Sequence, residues 1–214
     1  MRKIQDAVED IVYADEEGLY ALAQNYMNLS AYAKRIRKDV EKAATKDVQP
    51  AGIVVALSRM RKNLGKVHPL VQHIAIKNIT SKSPLSEIVF EKDASLLAKL
   101  SSFYTKVQTG NDDFLSVILS TNEITVICSE RLREKTLLHF AEKPRLIENK
   151  LAAVGLSFDE HYYKMPNVTY SLLRQIARTK IVLAETITTH TEIIFVFSQK
   201  HLADVVSLFQ TDEA

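Results

Sequence analysis

The first part of the chain carries apolar residues at helical spacing. Between residues 1 and 66 they recur every three or four positions, the period of one face of an α-helix. Three features interrupt this period: Gly18, a turn with capping residues at 28–30, and a polar break at 45–50. Pro50 stands where it can open a helix. We therefore predict an all-helical module of four helices, the last ended by Gly65.

The pattern changes after residue 66. Residues 85–91 have the composition of a strand, whereas residues 71–76 fit either a helix or a strand. We predict a hairpin turn at residues 81–84, between these two runs. The pair would then be either a wing on the helical module or the first strands of the next domain.

The remaining chain contains one pattern twice. Each copy reads strand, helix, strand, strand, helix, and the second is predicted to open with a strand near residues 151–158 and a helix from Thr169. Ser171 lies 76 positions after Ser95, and Glu192 lies 69 positions after Glu123. The seven extra residues of the first copy fall around residues 108–113, where a loop can absorb them. With one further strand, each copy has the ferredoxin-like order βαββαβ.

Composition sets broad limits. The 214 residues are 46% hydrophobic and 25% charged, which is typical of globular proteins, and a net charge of +2 indicates no particular partner. Acidic residues break up the N-terminal segment, and no apolar run approaches the roughly 20 residues that span a bilayer. We expect a soluble, cytoplasmic protein. The single cysteine, Cys128, lies in an apolar strand run and is predicted to be a core thiol.

The helical module has an uneven charge. Nine basic residues against three acidic ones lie between Lys34 and Lys62. Two interpretations stay open: a solvated helical face, or a helix-turn-helix module that binds nucleic acid. The candidate nucleic-acid residues are Lys34, Arg35, Arg37, Lys38, Arg59, Arg61 and Lys62.

The sequence contains no pattern typical of an active site. None of the six histidines has ligand spacing with Cys, Asp or Glu, and the five glycines are too scattered to build a phosphate-binding loop. We predict no enzyme activity, no catalytic residues, no metal and no cofactor.

The second copy resembles an ACT domain of the kind found in the regulatory half of aspartate kinases. The resemblance rests on residues 172–177 in the first helix, 181–187 in the second strand, 191–196 in the third strand and 203–208 in the last helix. The first copy looks like a more divergent ACT domain. The resemblance implies an α+β protein in which a helical, winged-helix-like module (1–66) precedes two ferredoxin-like ACT units (67–145 and 146–214), without a kinase domain.

The resemblance also implies a ligand site. ACT domains usually bind small effectors, often amino acids, and pair side by side, so we expect an amino-acid effector and a homodimer. The effector is held by the turn between first strand and first helix, and by the second strand with the turn after it. In the second copy these positions are Asn167, Val168, Thr169, Glu185, Thr186, Thr189, His190 and Thr191. In the first copy they are Asp93, Ala94, Ser95, Ser116, Val117, Thr121 and Asn122.

These observations predict a non-enzymatic regulatory protein that senses a small molecule through a tandem ACT pair. Two alternatives remain. One is a ligand-responsive transcription regulator that places its basic helices on DNA. The other is an ACT scaffold that only oligomerises.

Overall fold

A computed structural model describes residues 2–64, 71, 73–107 and 109–210. The chain divides into two compact units between residues 71 and 72. No helix within the described residues is long and apolar enough to cross a lipid bilayer. The first unit contains the helices α1 (Ile4–Ala14), α2 (Glu16–Ala23), α3 (Leu29–Ala44) and α4 (Pro50–Leu64).

The helical unit forms at the predicted places. Its core is one cluster of buried side chains from all four helices, including Val8, Leu22, Ile36 and Leu57. Asn28 caps α3, because its side-chain oxygen accepts from the Ala31 N–H at 3.1 Å. Pro50 opens α4 as expected. The predicted end at Gly65 lies outside the described residues.

The prediction that Gly18 separates the first two helices is wrong. Gly18 is the third residue of α2, and the break comes at Asp15, whose carboxylate accepts from the Gly18 N–H at 3.0 Å. The glycine is needed for space: a Cβ there would lie 2.5 Å from the Tyr32 hydroxyl oxygen. Gly18 therefore allows α2 and α3 to approach each other.

Within the described residues, the second unit combines one sheet with four α-helices and three short 3-10 helices, Glu130–Leu132, Glu160–Lys164 and Gln199–His201. Its strands pair antiparallel in the order β2-β3-β1-β4-β6-β5. The strands are β1 (Ile76–Glu91), β2 (Leu115–Leu119), β3 (Glu123–Ser129), β4 (Leu146–Phe158), β5 (Leu183–Thr188) and β6 (Glu192–Ser198). The helices are α5 (Ala94–Val107), α6 (Arg133–Phe140), α7 (Val168–Ala177) and α8 (Leu202–Gln210).

The predicted hairpin turn at residues 81–84 is wrong, and so is the wing. These residues lie inside β1, which continues through them with irregular pairing between Lys82 and Leu85. The strand persists because β4 supplies a partner along its length, while β3 pairs only with its C-terminal part. The segment therefore belongs to the sheet of the second unit. The helix-turn-helix interpretation of α1–α4 stays a prediction.

Three boundaries in the second half differ from the predicted ones. β4 begins at Leu146, five residues earlier than predicted, and α7 begins at Val168. β5 begins at Leu183, two residues later than predicted. The first five residues of β4 are all exposed, so they lack the alternating pattern by which a strand is recognised.

The two faces of the sheet differ. α5 and α6 pack on Ile88 and its register partner Val126, whereas α7 and α8 pack on Val154 and its register partner Phe195. Residues that pair directly on neighbouring strands share a face of the sheet. The pairing of β1 with β4 puts both of these pairs on the same face, so all four helices cover one side of the sheet. The opposite side, here called the open face, has its own cluster made only of sheet and loop residues.

The open-face cluster draws on both halves of the sheet. Leu85 and Ile127 from the first half of the unit are buried together with Leu151, Ala153 and Val196 from the second half. The described members of this cluster lie in strands and loops, so the open face is apolar at its centre.

Candidate functional site

Two turns of the second copy meet at one end of the sheet. The Phe158 N–H, at the end of β4, donates to the Thr191 carbonyl oxygen at 2.9 Å. The Tyr163 ring, in the connection between β4 and α7, lies 4.6 Å from the His190 ring between centroids. The strand-to-helix connection and the β5–β6 turn are therefore in contact, as a shared ligand site requires.

Asn167 shapes the start of α7. It has a φ of 64°, the left-handed conformation that a glycine adopts easily and that an asparagine also tolerates. Its carbonyl oxygen accepts from the Ser171 N–H at 2.9 Å and from the Ser171 hydroxyl at 2.7 Å. Its side chain makes no capping hydrogen bond to α7.

The neighbouring predicted residues differ in exposure. Thr169, Thr189 and His190 are exposed and Thr191 is half-buried, whereas the Val168 side chain belongs to the core. The Thr189 N–H donates to the Glu192 carbonyl oxygen at 2.8 Å and closes the β5–β6 turn. At this end of the sheet, ligand contacts would therefore come from exposed hydroxyls, the His190 ring and backbone groups.

The structure separates two predicted residues from this site. Glu185 lies three positions before the end of β5 and pairs with Val196, so it lies on the open face, where its negative charge helps to raise the pKa of Glu87. Thr186 follows it and pairs with Phe195, so it lies on the helix-covered face. Glu185 therefore does not supply a carboxylate at the turns for the ammonium group of an amino-acid ligand.

The first copy repeats the same contact between turns. The Lys92 N–H donates to the Asn122 carbonyl oxygen at 2.9 Å, and the Ser120 N–H donates to the Glu123 carbonyl oxygen at 3.0 Å. Asn122 lies 69 positions before Thr191, which is the spacing that the sequence gives for this part of the repeat. The β2–β3 turn with Thr121 and Asn122 therefore lies beside the strand-to-helix turn.

The first copy differs at its helix start. The Asp93 carboxylate accepts from the Leu96 N–H at 2.7 Å, so α5 is capped by its own chain. Ala94 and Ser95 are exposed beside it. Ser116 and Val117 in β2 point to opposite faces of the sheet, so they cannot contact one ligand from the same side. This site is less open to an anionic group than its counterpart.

Sequence reasoning missed a carboxylate cluster on the open face. Glu87 is 4% exposed and lies in register with Glu148. Burial, and then the negative charges of Glu185 and Glu148, raise the pKa of Glu87 to about 7. No local pattern could indicate this cluster, because Glu87 and Glu185 are 98 positions apart in the sequence.

Cys128 lies in the core, as predicted. It is fully buried in the cluster under α5 and α6, and burial raises the pKa of its thiol to about 11. The thiolate is therefore suppressed near neutral pH. Within the described residues, no group of three or more His, Cys, Asp or Glu side chains could hold a metal ion.

The basic residues of the helical unit are partly engaged within the chain. Arg35 contacts Asp15 at 2.5 Å and Arg37 contacts Glu41 at 2.8 Å, while Arg61 donates to an acceptor on the loop after α2 at 2.6 Å. The other candidates are exposed; they are Lys34, Lys38, Arg59 and Lys62. Their exposure fits a solvated face as well as a nucleic-acid contact.

Comparison with solved structures identifies the fold. This chain matches the regulatory subunit of aspartate kinase from Thermus thermophilus with a TM-score of 0.52 at 10% sequence identity. The match covers 65% of this chain and 99% of that one. It matches aspartate kinase from Clostridium acetobutylicum with a TM-score of 0.53, at 11% identity, over 65% of this chain and 35% of that one. Aspartokinase III from E. coli gives a TM-score of 0.53 at 11% identity, over 65% and 34%.

These likenesses define a class of fold, that of the regulatory region of aspartate kinases. The matched part corresponds to about a third of the whole kinases, and it covers the isolated regulatory subunit almost completely. No protein-family description matches the chain, and no curated protein matches it.

Proposed function

We propose that this chain is a non-enzymatic regulatory protein that binds a small effector, an amino acid, through its α+β unit. In this proposal, residues 67–145 and 146–214 form two ferredoxin-like ACT units. The carrying observation is the contact between the β5–β6 turn and the β4–α7 connection, made by the Phe158–Thr191 hydrogen bond and the Tyr163–His190 ring pair.

The second unit is the better effector site. The start of α7 receives no capping bond from Asn167, whereas Asp93 caps α5 in the first unit. A helix N-terminus favours a carboxylate, because its N–H groups and the helix dipole both attract negative charge. In this proposal the carboxylate of an amino acid binds beside Thr169, and backbone carbonyl groups of the turns accept hydrogen bonds from its ammonium group.

The first unit has a supporting part in this proposal. Its turns meet in the same way, but its helix start is already occupied by a carboxylate. We place it as the paired unit that completes the fold, and we expect the protein to be a homodimer. Effector binding would then act by favouring one arrangement of the paired units over another.

The test is thermal unfolding of the full chain in the presence of each of the twenty amino acids at millimolar concentration. A ligand that binds only the native state stabilises it by about 2.7 kcal/mol at a hundredfold excess over its dissociation constant. We expect one amino acid, or a chemically related group of them, to raise the unfolding temperature.

Two substitutions would then place the site. His190→Ala and Thr191→Val should raise, at least tenfold, the ligand concentration that is needed for the same rise in unfolding temperature. Both variants should leave the unfolding temperature of the ligand-free protein nearly unchanged. Thr121→Val, in the β2–β3 turn of the first unit, is the matched control and should keep the shift. Equal loss in all three variants, or no shift with any amino acid, would overturn the proposal and favour a scaffold that only oligomerises.

A further inference from the structure

The first half of β1 has a free edge. In the sheet, β1 lies between β3 and β4, and β4 pairs with it from Ile76 to Val89. β3 pairs with it only from Leu85 to Glu91. The β3 side of residues 76–82 therefore faces none of the described strands. Such an edge presents backbone N–H and C=O groups that another strand can pair with.

A cavity lies beside this edge. It has a volume of about 390 Å³, within the range of roughly 300–1,000 Å³ that is typical of ligand pockets. Its lining comes from the start of β1, the residues before it and the end of α8, and includes His73, Ile76, Asn78, Ile79, Phe209 and Gln210. Phe209 is a member of the core cluster under α7 and α8, and Ile76 and Ile79 pack against that cluster. Part of the lining is therefore apolar.

The edge and the cavity together form a groove between a strand and a helix. An extended peptide that adds to the edge of a sheet gains affinity from backbone hydrogen bonds, and pockets for its alternate side chains give selectivity. Here residues 76–82 supply the backbone groups, and the cavity between β1 and α8 supplies a pocket for a side chain. The arrangement fits an added strand better than a compact ligand.

The charges along this edge have one sign. Residues 73–82 contain Lys77, Lys82 and the exposed His73, but no aspartate or glutamate. Lys77 contacts the Asp159 carboxylate at 2.6 Å, and the Lys82 ammonium group donates to the Asp112 carbonyl oxygen at 2.9 Å. Pairing this edge with the same edge of a second copy would bring two basic strands together, which is unfavourable. A strand with acidic side chains is complementary.

We propose that this edge and the adjoining cavity bind an extended, acidic segment of a partner protein. The segment adds to the β3 side of residues 76–82 as a further strand. One apolar side chain enters the cavity between β1 and α8, and acidic side chains lie near Lys77 and Lys82. The effector proposed above is not needed for this interaction.

The experiment uses a fluorescein-labelled peptide of ten alternating valine and glutamate residues. Its fluorescence anisotropy, titrated with the full chain, should show saturable binding that weakens as salt is added. A peptide of alternating valine and lysine should bind at least tenfold more weakly. Hydrogen exchange at residues 76–82 should slow when the glutamate peptide is bound, whereas residues 85–91, already paired with β3, should not change.

Three results would each overturn the proposal. They are the absence of saturable binding of the glutamate peptide, equal affinity for the two peptides, and binding that does not slow hydrogen exchange at residues 76–82. The last result would show that the peptide binds elsewhere on the chain.

Substitutions locate the binding surface. Lys77→Glu should weaken binding of the glutamate peptide at least tenfold, because it reverses the charge of the edge. Ala75→Phe should have a similar effect, because Ala75 is exposed and lines the cavity, which a larger side chain would narrow. Lys106→Glu, the same change of charge at an exposed position in α5, is the matched control and should keep the wild-type affinity. Equal affinity in all three variants would contradict this surface.

The mass of the protein in solution tests the other occupant, a second copy of the chain. Sedimentation should give the same mass for the wild-type protein and for Ala75→Phe, because self-association does not use this edge. A wild-type dimer that Ala75→Phe dissociates would show that a second copy covers the edge, and would overturn the proposal.

Discussion

Two helical glycines of the first unit should respond oppositely to the same change. Alanine normally improves a helix by about 1 kcal/mol over glycine. A Cβ at Gly52 meets its nearest atom, on Ile4, at 3.8 Å, so we expect Gly52→Ala to stabilise the protein by up to about 1 kcal/mol. A Cβ at Gly18 would lie 2.5 Å from the Tyr32 hydroxyl oxygen and 2.7 Å from the Asp15 carboxylate.

Gly18→Ala should therefore destabilise the protein by about 1–3 kcal/mol, as overpacking in a close contact does. The clashing groups cannot move away freely, because Tyr32 donates to Asp15 at 2.7 Å and Arg35 holds the same carboxylate. Urea unfolding of the two single variants measures both free energies. Stabilisation by alanine at both positions would show that α2 and α3 are less closely packed than described.

At the scale of elements, the two equivalent helices α5 and α7 begin differently, and this difference is testable. The Asp93 side chain caps α5, whereas the Asn167 side chain does not cap α7. We expect Asp93→Ala to cost about 0.5–2 kcal/mol of unfolding free energy, and Asp93→Asn to cost much less, since asparagine caps nearly as well. Equal losses in the two variants would contradict the cap.

The sequence predicted those elements whose pattern is local. Helices α1–α4 follow from spacing, and the turns at Asn28 and Pro50 follow from capping and φ preferences. The strand through residues 81–84 was missed, because its hydrogen-bond partner, β4, lies about 70 positions further along the chain. Tertiary pairing overrode a local turn signal.

The candidate site was predictable only in part, for the same reason. The repeat spacing and the ACT resemblance pointed to both pairs of turns, and the structure brings the turns of each pair into contact. They could not show that Glu185 lies on the open face, because its face is set by the register of β5 on β6. Sequence patterns describe the faces of single elements, whereas this register depends on how two strands pair, with a shift between Leu183 and Glu185.

At the scale of the whole molecule, the two units have separate cores. One cluster of buried residues is confined to residues 7–64, and the other clusters use only residues from Ile74 onward. The regulatory subunit from Thermus thermophilus is matched over 99% of its length by 65% of this chain. An α+β unit of this fold therefore exists in another protein as a chain of its own.

We accordingly expect a chain of residues 72–214 to fold without the helical unit. A domain of about 150 residues buries roughly 70% of its unfolded surface, enough for independent stability. Circular dichroism and thermal unfolding should show one cooperative transition within a few degrees of the corresponding transition in the full chain. The same fragment should keep any rise in unfolding temperature that an amino-acid ligand causes, because Asn167, Thr189 and Thr191 all lie within it. If the fragment unfolds cooperatively but its unfolding temperature no longer responds to the amino acid, the helical unit takes part in effector binding. If the fragment shows no cooperative unfolding transition, the two cores are not independent.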